Sequence, residues 1–188
     1  MIDRTDTRES GSVRLFFGML PDAAIRDRLS AAARDLPLPA AARPVPPDNY
    51  HATLAFIGDV PGAQLPLVQE IGRDRRAARF SLVFDAYDYW PKPEVVVAAA
   101  RTIPSVLEQL WRELHGALAL RQWALDPKRL RPHVTLARKV SQAPVLQDFS
   151  IVEWAATEFS LLRSETRGSE PVYTVVDTWP LLYEPAKT

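Results

Sequence analysis

The five-residue word His-x-Thr-Leu-Ala occurs twice, as "HATLA" at 51–55 and "HVTLA" at 133–137, in a chain of 188 residues with only three histidines. The copies lie 82 positions apart and sit in the same frame. In the first, an apolar stretch "VRLFFGML" (13–20) reads as a strand and "PDAAIRDRLSAAARDL" (21–36) as a helix, with Pro21 suited to its start. The connector "PLPAAARPVPP" cannot continue that helix, and the strand opened by His51 follows. In the second, "EVVVAAA" (94–100) predicts a strand. "TIPSVLEQLWRELHGAL" (102–118) predicts an amphipathic helix capped by Thr102 or Ser105. "DPKRLRP" connects it to the strand opened by His133. Val13 precedes Val95 by the same 82 positions. A duplicated β-α-β unit is the expectation. Two copies are too few for a solenoid, so they predict a pseudo-twofold pair of lobes.

The segments between and after the frames are expected to complete the sheets. "GAQLPLVQEIGRDR" suggests a helix weakened by Pro66. "RFSLVFDAYDYW" alternates as one strand with a turn after it. "ATEFSLLRSE" and "PVYTVVDTWPLL" read as two strands around a turn at Gly168. The expected organisation is a disordered tail over 1–12 and one domain over 13–184, its repeats covering about 13–90 and about 94–180.

Alternation along a strand gives the repeated word its chemical meaning. His51 and Thr53 face one way while Ala52 and Leu54 face the other; His133 and Thr135 stand likewise against Val134 and Leu136. If the lobes oppose these faces, the cleft contains two imidazoles for proton transfer and two hydroxyls to bind an anion. A base to activate water, an acid for the leaving oxygen and fixed donors for phosphoryl oxygens suit metal-free phosphoester chemistry. Asp48 and Asp59 flank His51, which favours an imidazolium acid. Lys128, Arg129, Arg131, Arg138 and Lys139 flank His133, which favours a neutral base. A metal site is the poorer reading, because no HExxH-type pair is present. His115, with no motif around it, reads as a structural helix residue.

Composition narrows the setting. There is no cysteine, so disulfides, thiolate nucleophiles and zinc-thiolate sites are excluded, and a cytoplasmic location is expected. No apolar run approaches the roughly 20 residues of a membrane span. Formal net charge is zero, so no global basic field points to nucleic acid. All but four of the 23 basic residues are arginine, the better phosphate fork, although a GC-rich genome gives the same bias.

The twin words, with "RLFFGMLP" (14–21), "RPVPPDNYHATLAFIGDV" (43–60), "RPHVTLAR" (131–138) and "TEFSLLRSE…YTVVDTW" (157–179), resemble the 2H phosphoesterase superfamily, in its RNA 2′,3′-cyclic phosphodiesterase (2′-5′ RNA ligase) branch. The resemblance implies an α+β, bilobal fold: two pseudo-twofold-related sheets, helices outside and a central cleft. It implies hydrolysis of an RNA-terminal 2′,3′-cyclic phosphate to a 2′-phosphomonoester, by a monomer using neither metal nor nucleotide cofactor. His51 matches the family's proton donor and His133 its proton acceptor. Thr53, Thr135 and Arg138 would bind the phosphate. Strict alternation turns Arg138 away from the cleft, so its role requires the strand to twist or end there. Its counterpart Phe56 is read as core. Phe17, Tyr89, Trp90 and Tyr173 are candidates to stack the terminal base. The same residues would serve a relative acting on another cyclic or 2′-5′ linked nucleotide, a ligase, or a non-catalytic RNA-end-binding module.

Overall fold

The computed structural model describes residues 11–125, 129–167 and 170–182. Residues 1–10 of the expected tail, Lys128 and the expected turn at Gly168 lie outside them. The first strand, β1 (Ser12–Met19), begins one residue before the expected start. Helix α1 (Ala23–Arg34) follows, started not at Pro21 but by Asp22, whose Oδ1 accepts the Ile25 amide at 2.8 Å. A two-residue strand β2 (Arg43–Pro44) and a 3-10 turn over Pro47–Asn49 lead to β3 (Ala52–Pro61). Helix α2 (Leu65–Arg73) tolerates Pro66 because it lies in the first turn, where an amide is unpaired anyway.

The stretch expected as one strand is two, β4 (Phe80–Phe84) and β5 (Ala86–Trp90), which join different sheets. The chain breaks at Asp85, whose Oδ1 accepts the Arg101 amide. Then come β6 (Val95–Ala99), α3 (Ser105–Leu120) and β7 (His133–Arg138). Helix α3 has Pro104 at its cap position and no side-chain cap, so neither Thr102 nor Ser105 performs the expected role. Last are β8 (Val152–Ala156), β9 (Glu158–Arg167) and β10 (Glu170–Pro180).

Two four-stranded antiparallel sheets result, ordered β10-β9-β1-β3 and β2-β7-β6-β5, with β4-β8 forming a small third sheet. Each large sheet draws strands from both halves of the chain. The helices cross over too: α1, from the first half, packs on β7 and β8, and α3, from the second, packs on β3. Tyr87 of β5 fastens α1 by donating its hydroxyl to the Ala32 carbonyl at 2.7 Å. This interleaving keeps the lobes together, because neither sheet can bury its apolar face with its own half alone. Leu29, Leu82, Leu114, Val134 and Leu161 are fully excluded from solvent, each contributing about 1.5–3 kcal/mol of burial.

The duplicated frames are not equal in length. Thr53 faces Gly18 and Thr135 faces Val97, so the first connection spans 35 positions and the second 38. The constant offset of 82 holds for the histidine words but not for the strands beside them.

Candidate active site

His51 immediately precedes β3 and His133 opens β7. Each ring is held in the same way. Nδ1 of His51 lies 2.8 Å from the carbonyl oxygen of Asn49, and Nδ1 of His133 lies 2.7 Å from that of Arg131. A carbonyl only accepts, so Nδ1 carries the proton in both rings. Nε2 is left as the nitrogen each can use for proton transfer. The local sequence builds this: a buried residue, Tyr50 or Pro132, stands between histidine and acceptor and holds the chain so that the ring folds back on the carbonyl two residues before it.

The next residues show why the word continues Thr-Leu-Ala. Phe17 pairs with Ala55 and Gly18 with Thr53, skipping Leu54; Val96 pairs with Ala137 and Val97 with Thr135, skipping Leu136. Leu54 and Leu136 are equivalent β-bulges, and each reverses the parity of the residues after it. Leu136 and Ala137 are consecutively buried, and Arg138 returns to the half-exposed side. Phe56 does the same on β3. Arg138 therefore shares a cavity with His51, Thr53, Phe56, Ser164 and Tyr173, of about 200 Å³. Phe56 is not core: it is 45% exposed, with the Arg14 guanidinium over its ring at 4.9 Å.

A second cavity of about 830 Å³ contains His133 and shares Thr53 and Phe56 with the first. The structure thus brings His51, Thr53 and Arg138 into one cavity and His133 into its neighbour. Thr135, half-buried two residues beyond His133, lines neither.

Aromatic side chains position both imidazoles. His51 packs against Phe16 and Tyr173, with ring centroids 5.1 and 4.7 Å away, and those two rings touch each other at 5.2 Å. His133 rests on Trp90 at 4.4 Å. Trp90 is itself fixed, its Nε1 donating to Asp88 Oδ2 and the Arg131 guanidinium lying 4.4 Å over its ring. Of the other stacking candidates, Phe17 is fully buried in the core and Tyr89 donates its hydroxyl to the Val140 carbonyl.

Burial lowers the pKa of His51 to about 4; the Asn49 carbonyl opposes the shift, while Arg138 and His133 add to it. Burial also lowers His133, opposed by the Arg131 carbonyl and helped by Arg131 and Arg138. The charges acting on His51 are therefore cationic. Neither Asp48 nor Asp59, expected to favour its protonation, acts on it; Asp59 faces Arg14 across β1 and β3. Arg138 faces both rings and hydrogen-bonds Tyr173. Among the described residues no carboxylate pairs with it, so its positive charge is available to an anion. No group of three His, Asp or Glu side chains among the described residues stands ready to hold a metal ion. No helix there is long and apolar enough to cross a membrane.

Ser164 had no signal in the sequence, being one serine within an ordinary strand. Phe56 was hidden by its bulge.

The two histidine words stand at neighbouring cavities that share Thr53 and Phe56, and comparison with known proteins identifies the class of protein. A model of the LigT-like phosphoesterase family matches residues 20–97. The RNA 2′,3′-cyclic phosphodiesterase of Thermus thermophilus is 32% identical over 182 residues, covering 90% of each chain. That of Escherichia coli is 32% identical over 170 residues, covering 89% of this chain and 96% of the relative. The crystal structure of Escherichia coli LigT with 3′-AMP superposes with a TM-score of 0.83 at 29% identity, covering 90% of this chain and 98% of that one. The chain belongs to the LigT-like phosphoesterases of the 2H superfamily, and its α+β, bilobal architecture is the one expected.

Proposed function

We propose that this protein hydrolyses the 2′,3′-cyclic phosphate at an RNA end to a 2′-phosphomonoester, without metal or nucleotide cofactor. The observation that carries the reading is the matched pair of imidazoles, each with Nδ1 committed to a backbone carbonyl and Nε2 left for chemistry, beside Arg138, with which no carboxylate among the described residues pairs. The names of the two curated relatives support the same substrate.

His133 is the base and His51 the acid, the roles implied by their motif positions. Nε2 of His133 takes a proton from water as its oxygen bonds to phosphorus. The bond from phosphorus to O3′ breaks, and Nε2–H of His51 protonates O3′. The 3′-hydroxyl is freed and the phosphate stays on O2′. Solvent then returns the proton from His133 to His51. Arg138 and Thr53, with Thr135, hold the non-bridging oxygens as charge builds on them.

In the free protein both rings favour the neutral form. The proton that His51 must donate arrives with the substrate, because a phosphate anion against the imidazole offsets its desolvation. We assign the activity to one domain over about 13–184, acting as a cytoplasmic monomer.

An oligoribonucleotide ending in 2′,3′-cyclic phosphate, incubated with the protein in EDTA and without ATP, tests this. The expected product is the 2′-phosphomonoester. A 3′-phosphomonoester, or turnover only on adding a divalent ion, overturns the reading.

A further inference from the structure

The larger cavity exceeds what a cyclic phosphate needs. At about 830 Å³ it lies in the upper part of the roughly 300–1,000 Å³ range of small-molecule sites. Its wall away from β7 is built by α3. That helix turns Leu107, Leu110, Leu114 and Leu118 into the core. Trp111 and His115, one turn apart, are only half-buried and line the cavity instead. Their rings are in contact, with centroids 4.2 Å apart and planes tilted by 36°. Nε2–H of His115 donates to the Leu54 carbonyl at 3.1 Å, tying the pair to the bulge of β3. The histidine set aside as structural is thus half of an aromatic shelf anchored beside Thr53.

Three cations stand among the mainly apolar side chains of the rest of the wall. Lys92, Arg129 and Arg131 line it and are exposed; Asp88 is the one carboxylate among the described lining residues and pairs with Arg131 at 3.0 Å. Trp90 offers no equivalent shelf, because His133 and Arg131 already pack on its ring. Aromatic faces beside arginines are the equipment of single-stranded nucleic-acid sites.

We infer that the Trp111–His115 shelf receives the base of the nucleotide preceding the terminal one. Lys92 and Arg129 meet the phosphate that joins the two. This rests on the hydrolytic reading above and adds to it a preference for a polymer end over a mononucleotide.

The test compares kcat/KM for a nucleoside 2′,3′-cyclic phosphate, a dinucleotide with the same end, and a dinucleotide whose first residue is abasic. Wild type should prefer the intact dinucleotide over both others by on the order of tenfold, mainly through KM. In Trp111→Leu the intact and abasic dinucleotides should react alike, while Trp111→Phe should restore the discrimination. Circular dichroism of Trp111→Leu checks that it folds, and recovery in Trp111→Phe separates stacking from damage to the helix. If wild type hydrolyses the intact and abasic dinucleotides equally well, the shelf is not a base site, although the hydrolytic reading stands. If photo-cross-linking by 4-thiouridine reaches Trp111 from the terminal position and not the preceding one, the assignment of the base is overturned. Failure to hydrolyse any of the three overturns the hydrolytic reading and this inference with it.

Discussion

Phe56 and Arg138 occupy the same place on their two strands, each five residues after a site histidine and each returned to the cleft by a bulged leucine. The two strands share a backbone pattern and put different chemistry on it. One strand brings a ring to the cavity that contains His51 and the other a guanidinium.

In the proposed mechanism Arg138, which lines the cavity with His51 and Thr53, holds the phosphate. Arg138→Met should therefore lower kcat/KM by roughly 10²–10³-fold, the usual cost of one preorganised transition-state donor. Arg138→Lys should recover only part, because an ammonium cannot reproduce the guanidinium fork. Initial rates on a cyclic-phosphate oligonucleotide measure this, and a loss below threefold contradicts the placement.

The two threonines should not be equal. Thr53 lines both cavities and Thr135 neither. Thr53→Val should cost tenfold or more in kcat/KM, about 1.4 kcal/mol, and Thr135→Val distinctly less. Equal losses would mean that Thr135 reaches the phosphate as fully as Thr53 does.

Acid should act on both activity and stability. Both imidazoles are depressed, His51 to about 4, so the singly protonated pair is most populated in the free protein below the usual histidine value of about 6.5. The kcat/KM profile, which reports the free enzyme, should peak below pH 6.5, and the kcat profile at a higher pH. For stability, a lowered pKa means that the unfolded chain binds more protons over that range. The contribution of His51 is complete above about pH 6.5 and is lost as pH falls towards about 4. The urea midpoint should fall over that window in wild type, and less in His51→Gln.

Gly72 tests the packing of α2. A Cβ added there would lie 2.3–2.6 Å from three ring carbons of Trp179, which is 8% exposed. Alanine in a helix normally gains about 0.5–1 kcal/mol over glycine. Here overpacking, at about 1–3 kcal/mol, outweighs it. Gly72→Ala should lower the urea midpoint while leaving the fold recognisable by circular dichroism; an unchanged or higher midpoint would show that the indole gives way freely.

The histidine words, the strands they open and both long helices were legible because each depends on local pattern: an apolar period, a proline-rich stop, a repeated pentapeptide. What stayed hidden depends on pairing. Strict alternation turned Arg138 outward and left Phe56 as core, since a bulge is defined by the neighbouring strand as much as by its own residues. The division of 80–90 between two sheets was hidden for the same reason. So was β8, whose partner β4 lies about seventy residues earlier. The proposed acid and base could not be ranked from Asp48 and Asp59, because sequence neighbours of His51 are not the charges that reach it.

The measurement that bears most directly on the paired-imidazole account is single-turnover hydrolysis of a cyclic-phosphate oligonucleotide by His51→Ala, His133→Ala and the double variant, with folding checked by circular dichroism. Each single change should lose roughly 10²–10⁴-fold, and the double variant should lose far less than the product of the two, because both rings serve one transition state. A folded single variant that keeps near wild-type turnover would contradict it.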